Sequence, residues 1–265
     1  MQSQKRSKMA WATTSDQLEI YYEDSGGNLP LIVFQSGFMG IHNIWKYQVD
    51  ALKSRYRCIT HDNRGHGLSS SPADMAYYTT ENNADDLKAV LDDAGVSEPV
   101  ILCTHSMGST NGIAFALRYP QLVKGILMMG GASISGEPKL RRGGHQEMFS
   151  VHHTSPSASM KFYVRLGLRA DIAIEAGKWS RHVFRNQTAA QLSFLPGEAV
   201  SRITIPVLVL HGTHDVVTPL EVVREAVDGL PNARLQIIEG VNHFPQTERP
   251  EAVNRIIEEF AKEVG

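Results

Sequence analysis

The stretch VILCTHSMGST, residues 100–110, joins a short apolar run to a serine that is followed almost at once by Gly108. An apolar run of this length is typical of a buried strand, and the residues from Ser106 to Pro120 suit a helix that the proline ends. At such a strand-to-helix turn, Ser106 is either the N-cap of the helix or a nucleophile exposed at the strand end. The rest of the chain decides between these two interpretations.

Strand-like and helix-like segments alternate on both sides of this stretch. The pattern predicts strands over 17–24, 30–36, 55–62, 99–104, 122–131, 205–212 and 233–240. It predicts helices over 44–54, 79–95, 106–120, 219–230 and 250–264. Repeated strand-then-helix units favour an α/β fold, with a mostly parallel sheet of about eight strands and helices on both faces.

The alternation breaks between residues 133 and 203, where aromatic residues are scattered among short helix-like pieces. We interpret this segment as a helical cap inserted between two strands of the sheet. The core is then built from residues 1–132 and 204–265.

Composition excludes several classes of protein. Among 265 residues, Lys plus Arg is 26 and Asp plus Glu is 28, for a net charge of −2, which argues against a nucleic-acid or membrane partner. Cys58 and Cys103 lie in apolar runs and predict free thiols rather than a disulfide framework. No apolar segment follows the basic residues near the N-terminus, and no run approaches the roughly 18 residues of a membrane span. A cytoplasmic protein is therefore expected, with its oligomeric state left open.

Polar residues follow five of the predicted strands, at the sheet edge where chemistry gathers in such folds. These are SGFMG (36–40), NRGHGLS (63–69), Ser106, Asp215 and His243. A serine hydroxyl becomes a good nucleophile when an imidazole takes its proton, and the imidazole needs a carboxylate to fix its tautomer. The chain order Ser106, Asp215, His243 is the order expected after a nucleophile turn of this type.

The same turn predicts where a developing oxyanion would be held. The helix begins at the nucleophile, so the backbone N–H of Met107 faces the place where the negative charge forms. A second N–H donor is expected from Phe38, which follows Gly37 in the first of the five loops.

Five segments in this order resemble the α/β-hydrolase superfamily over nearly all of the chain outside 133–203. They are QSGFMG (35–40), HDNRGHGLSS (61–70), THSMGS (104–109), VLVLHGTHDVVTP (207–219) and GVNHFPQTERPEAV (240–253). The resemblance implies that Ser106 is the nucleophile, Asp215 the acid and His243 the base, with no metal or organic cofactor. It also implies that Asp62 and Arg64 brace the loops. A weaker similarity connects the chain to the lactonase and cofactor-free perhydrolase branches.

Two positions depart from the family pattern. Ser36 stands where the family usually has histidine, and Thr104 stands where it usually has glycine. Ser36 can still hydrogen-bond the loop that carries Phe38. A β-branched residue at position 104 must fit beside a strained turn.

The expected function is that of an enzyme, a serine hydrolase that cleaves a small to medium carboxylic ester or lactone through an acyl-enzyme on Ser106. The same three residues could instead serve C–C bond hydrolysis, perhydrolysis or lyase chemistry. Two alternatives without enzyme turnover also fit this fold: a hydrolase-fold ligand receptor with little turnover, and a non-catalytic interaction protein. The expected partner is a small-molecule substrate.

Other residues have a structural and a functional interpretation. His61, Asp62 and His66 could suggest a metal, but the turn motif explains them better. Six residues of the segment 133–203 either line a substrate pocket or form the cap's own core: Met148, Phe149, Phe162, Tyr163, Trp179 and Phe184. Met39 and Phe38 have the stronger claim to the pocket, because their loop is expected to border the nucleophile.

Overall fold

A computed structural model of the chain describes residues 8–38, 40–131, 134, 155–178 and 180–265. These residues form one eight-stranded sheet in the order β1-β2-β4-β3-β5-β6-β7-β8. The strands are β1 Lys8–Thr13, β2 Glu19–Asp24, β3 Leu31–Gln35, β4 Arg57–His61, β5 Val100–His105, β6 Val123–Met129, β7 Val207–Gly212 and β8 Ala233–Ile238. In this order, every neighbouring pair from β4 across to β8 is parallel. The two remaining pairs, β1 with β2 and β2 with β4, are antiparallel and lie at one edge of the sheet. The predicted mostly parallel sheet is confirmed.

Helices connect the parallel strands. In the described part of the chain the α-helices are α1 Lys46–Leu52, α2 Thr80–Asp93, α3 Met107–Arg118, α4 Pro156–Arg165, α5 Ala170–Ala176, α6 Arg181–Ser193, α7 Leu220–Gly229, α8 Pro245–Glu248 and α9 Pro250–Glu263. Short 3₁₀ segments lie at His42–Trp45, Met75–Tyr77, Pro120–Leu122 and Gly197–Arg202. The predicted helices of the core are found within a few residues of their expected bounds.

Two apolar clusters lie on opposite faces of the sheet. Residues of α2, α3 and α7 pack on one face. Residues of α1 and α9 pack on the other, together with Phe162 and Tyr163 of α4. The central strands β5 and β7 are buried along their whole length. This fits their continuous apolar sequences, because a strand covered on both faces has no solvent side.

The strand β1 was absent from the sequence prediction. Its six residues KMAWAT alternate in burial, with Ala10 and Ala12 inward and Met9 and Trp11 exposed. An edge strand with small inward residues carries little apolar signal, so its pairing with β2 decides its structure rather than its own hydrophobicity.

The helix α3 packs close to the ends of β3 and β5 because it carries two glycines there. A Cβ on Gly108 would lie 2.6 Å from the carbonyl oxygens of Gln35 and Ser36. A Cβ on Gly112 would lie 3.1 Å from Thr104 Cγ2. Thr104 therefore fits beside the turn because Gly112 makes room for its methyl group, and its hydroxyl lies 2.9 Å from Ser109 Oγ.

The helices α4, α5 and α6 lie between β6 and β7, in the segment predicted to be a cap. α6 is attached to the core by buried polar contacts: Gln187 Nε2 donates to the carbonyl of Arg64 at 3.1 Å, and Asn83 Nδ2 donates to Gln187 Oε1 at 3.1 Å. The cap boundaries at 133 and 203 remain a prediction, since 135–154 lie outside the described residues. No described helix is long and apolar enough to span a bilayer.

Candidate active site

Ser106 occupies the turn between β5 and α3 in a backbone conformation that L-residues rarely adopt, with φ 52° and ψ −124°. Such a conformation costs on the order of 1–3 kcal/mol and persists only where the surroundings enforce it. Here the Ser106 N–H donates to the Met129 carbonyl at 2.8 Å, and the Ser106 carbonyl accepts from the Ser109 N–H at 2.8 Å. The predicted strand-to-helix turn is present, with the strand ending at His105 and the helix beginning at Met107, each one residue later than the sequence predicted.

Asp215 and His243 form a hydrogen-bonded pair at the ends of β7 and β8. His243 Nδ1 lies 2.9 Å from Asp215 Oδ2, and the Asp215 side chain is completely buried. The other oxygen, Oδ1, accepts the N–H groups of Val217 and Thr218 at 2.8 and 3.0 Å. Burial alone would raise the pKa of Asp215, but His243, the Thr218 amide and His211 together lower it below its ordinary value.

The ionised carboxylate fixes the tautomer of the histidine. A carboxylate only accepts hydrogen bonds, so the proton of a neutral His243 sits on Nδ1 and Nε2 carries a lone pair. This is the form of the ring that can remove a proton from a hydroxyl.

Ser106 and His243 line the same small, partly enclosed cavity. Glycine and mainly apolar side chains make up the rest of the wall: Gly37, Phe38, Ile44, His105, Tyr163, Leu166, Val217 and Phe244. The arrangement brings a hydroxyl, a histidine base and a small apolar pocket to one place.

The loop after β3 lies against the nucleophile turn. A Cβ on Gly37 would approach Ser106 Cβ to 2.8 Å and the His105 carbonyl oxygen to 2.7 Å, so only glycine permits this contact. Ser36 braces the loop, because its hydroxyl donates to the Ile41 carbonyl at 2.8 Å and accepts from Trp45 Nε1 at 3.1 Å. The loop thus places Phe38 next to the serine without the usual histidine at position 36.

The turn after β4 holds the loops in place through buried charge. Asp62 Oδ1 accepts from the backbone N–H of His42 at 2.6 Å, and Asp62 Oδ2 accepts from that of Leu68 at 2.9 Å. Arg64 is buried and contacts Asp86 through two hydrogen bonds of 2.6 and 2.7 Å. Among the described residues there is no group of three or more His, Cys, Asp or Glu side chains placed to hold a metal ion.

The predicted pocket residues are placed differently from one another. Met39, Met148, Phe149 and Trp179 lie outside the described residues. Phe162 is buried in the apolar cluster that includes residues of α1 and α9, and the ring of Phe184 makes an edge contact with that of Phe38 at 5.6 Å between centroids. Phe184 therefore backs one wall of the cavity.

Sequence reasoning did not single out four of the cavity residues, Ile44, Leu166, Val217 and Phe244. Val217 and Phe244 lie within the segments 207–219 and 240–253 that carry Asp215 and His243, so their closeness in sequence could have indicated them. Tyr163 and Leu166 are three residues apart, and that spacing marks one helical face without saying what the face covers.

Comparison with known proteins places the chain in a family. The alpha/beta hydrolase family matches residues 32–256. The protein ABHD8 of Mus musculus is 30% identical over 241 residues, which cover 87% of this chain and 54% of that protein. The chain thus spans about half the length of the curated ABHD8 relatives that it matches.

Two further similarities extend over whole chains. The bifunctional esterase/perhydrolase DCH of Acinetobacter calcoaceticus is 26% identical over 280 residues, covering 96% of this chain and 100% of that protein. The solved structure of Est816, an N-acyl homoserine lactone degrading enzyme, superimposes with a TM-score of 0.81 at 27% identity, covering 94% of this chain and 99% of the other. With the family match over residues 32–256 and this shared fold, the chain belongs to the alpha/beta hydrolase family.

Proposed function

We propose that the protein hydrolyses carboxylic esters or lactones through an acyl-enzyme formed on Ser106. The observation that carries this proposal is the Asp215–His243 pair, which opens into the same cavity as the serine of the strained turn. The names of the relatives support it, since they include an esterase/perhydrolase and a lactone-degrading enzyme.

The reaction begins when His243 Nε2 takes the proton of Ser106 Oγ while Oγ bonds to the substrate carbonyl carbon. The carbonyl electron pair moves to oxygen, which the N–H groups of Phe38 and Met107 stabilise. The C–O bond to the alcohol then breaks, and the alcohol leaves with the proton from His243. Water repeats the cycle on the acyl-enzyme and releases the acid, and Asp215 stabilises the imidazolium in both halves.

The cavity favours an uncharged substrate group. Its described lining contains no Lys, Arg, Asp or Glu, and most of its side chains are apolar. A carboxylate or ammonium on the group that enters it would lose its hydration without gaining a partner. The segment 133–203 would act as the cap over this cavity, since Tyr163 and Leu166 from that segment contribute to its wall.

The test is turnover of p-nitrophenyl acetate and butyrate by the wild type and by Ser106→Ala. We expect many cycles from the wild type and a loss on the order of 10⁴-fold or more in the variant. Ser201→Ala, at an exposed serine of the 3₁₀ segment 197–202, is the matched control and should retain full activity.

A fluorophosphonate probe separates a protein with a reactive serine from a non-catalytic interaction protein, which should not label. An enzyme should label at Ser106, and Ser106→Ala should abolish labelling while its melting temperature stays near that of the wild type. A ligand receptor with an intact triad is recognised by turnover instead, since on the p-nitrophenyl esters it would stop near one event per molecule. Retention of most ester turnover by Ser106→Ala would refute the assignment of the nucleophile.

A further inference from the structure

The peptide unit of His243 is held from two sides. Its carbonyl oxygen lies 2.8 Å from Nε2 of His105, the residue before the nucleophile. Its N–H donates to the Leu166 carbonyl at 3.1 Å, just after α4. The Asp215 contact fixes the rotation of the imidazole ring, whereas these two bonds fix the backbone from which the ring extends.

The His105 ring is committed to this one polar contact. A carbonyl oxygen only accepts, so the ring proton must be on Nε2. His105 is 2% exposed, and among the described residues Nδ1 has no hydrogen-bond partner. Burial lowers the pKa of His105 to about 3, which keeps the ring neutral near pH 7.

Packing around the bond excludes solvent. The ring of His105 stacks on that of Phe244, with centroids 4.6 Å apart and planes 29° apart. Gly130 lies over the contact with φ +65°, and a Cβ there would approach the His243 carbonyl oxygen to 3.1 Å and His105 Nε2 to 3.2 Å. A hydrogen bond in such a dry place is strong and geometrically well defined.

We propose that His105 is a positioning residue, whose Nε2–H holds the main chain of His243 so that the base stays within reach of Ser106. The proposal rests on the function proposed above. Residue 105 is joined to the nucleophile by one peptide bond, so the contact ties the nucleophile turn directly to the loop of the base. A displacement of about 1 Å in such a group is enough to lower a rate on the order of 100-fold.

The competing explanation is that His105 only fills space beside Phe244. Two substitutions separate the explanations because each keeps one property of the ring. His105→Gln places an amide N–H near the position of Nε2 but loses the aromatic face. His105→Phe keeps the stacking ring and loses the donor. His105→Asn is a third variant, with an amide too short to reach the His243 carbonyl.

The experiment measures kcat and KM for p-nitrophenyl butyrate, with melting temperatures for all variants. We expect His105→Gln to keep kcat within about 3-fold, and His105→Phe and His105→Asn to lower kcat about 10- to 100-fold with KM changed by less than about 3-fold. If His105→Phe fails to fold, the comparison of Gln with Asn still decides the matter.

The proposal is overturned if His105→Phe retains the wild-type kcat, or if His105→Gln loses as much activity as His105→Asn. It is also overturned if the losses appear in KM alone. Its failure can be told apart from that of the proposed function. If Ser106→Ala is inactive but all His105 variants keep the wild-type kcat, only the positioning role is rejected. An active Ser106→Ala rejects the proposed function.

Discussion

At the scale of single residues, the proposed reaction depends most on the backbone conformation of Ser106 and on the ionisation of Asp215. Asp215 accepts three hydrogen bonds, from the His243 ring and from two backbone amides. An uncharged amide at this position would keep the size of the side chain. It would also present an N–H to His243 Nδ1 in at least one orientation and so favour the wrong tautomer.

Asp215→Asn should therefore lower kcat on the order of 10³- to 10⁴-fold while KM changes little. Steady-state kinetics on p-nitrophenyl butyrate at pH 7–8 measures the effect. Asp228→Asn is the control, since Asp228 is exposed at the end of α7. An Asp215→Asn variant within 10-fold of the wild-type kcat would contradict the role assigned to the carboxylate.

The three residues of the proposed triad could be predicted from the sequence because each follows an apolar strand within a short recognisable segment. The contact between His105 and the His243 carbonyl could not, since it joins residues 138 positions apart and involves a backbone atom. No residue type in a sequence pattern specifies that a given carbonyl needs a side-chain donor.

At the scale of elements, the end of α4 supports the loop that carries His243. Gly167 adopts φ +103°, and a Cβ there would meet the Glu248 carboxylate at 2.2 Å. That carboxylate accepts the backbone N–H groups of Asn242 at 3.0 Å and of Phe244 at 3.2 Å. Glu248 therefore orders both neighbours of His243, and Gly167 leaves the space for it.

Gly167→Ala should lower the free energy of unfolding by about 3 kcal/mol and reduce kcat, because Glu248 must move and the two amides lose their acceptor. Gly197→Ala is the matched control: Gly197 has φ +53°, and nothing lies within 4 Å of its Cβ position. It should cost only about 1 kcal/mol of backbone strain and leave kcat unchanged. Urea unfolding and kinetics on both variants measure the effects, and equal losses would show that Glu248 has no such part.

Element positions followed well from the sequence where hydrophobic period and end signals agreed. The helix α2 begins after Thr79, whose hydroxyl accepts the Asn82 N–H at 2.9 Å, as its threonine-and-acid start indicated. The short helix-like pieces of the segment 133–203 could be recognised but their bounds could not, and the stretch 171–186 is divided between α5 and α6. Its Gly177 interrupts the helical periodicity, and packing against the core decides where each piece lies.

At the scale of the whole molecule, buried histidines govern the dependence of stability on pH. Burial lowers the pKa of His61 and of His66 to about 4, and that of His105 to about 3. In the unfolded chain a histidine titrates near 6.5. Below that pH the unfolded state binds protons that the native state does not bind, so the free energy of unfolding falls as the pH decreases.

We expect the free energy of unfolding to fall between pH 6.5 and pH 4, by on the order of 2 kcal/mol per buried ring at pH 5. Urea unfolding at pH 7, 6 and 5 measures this loss. His61→Gln removes one titrating ring and should give a flatter acid limb than the wild type. A free energy of unfolding that is constant from pH 7 to pH 5 would contradict the expectation.

His42 has the opposite effect on stability, which it makes fall as the pH rises above neutrality. Burial opposes its charge, but hydrogen bonds to Asp62 and Glu23 raise the pKa of His42 to about 10. Its contribution is complete below pH 6.5 and is lost by about pH 10. It declines between these values because the native state there holds a proton that the unfolded state has already released. Stability should therefore be greatest near neutral pH.

The order of the strands along the chain has a consequence for biosynthesis. Ser106 follows the fifth strand, whereas Asp215 and His243 follow the seventh and eighth, and β8 pairs with β7 at the far edge of the sheet. A nascent chain that has completed β6 carries the serine but neither of the residues proposed to activate it. Catalytic competence would thus arise only after β8 and the loop that follows it have been synthesised, and in refolding it would recover no earlier than the docking of β8.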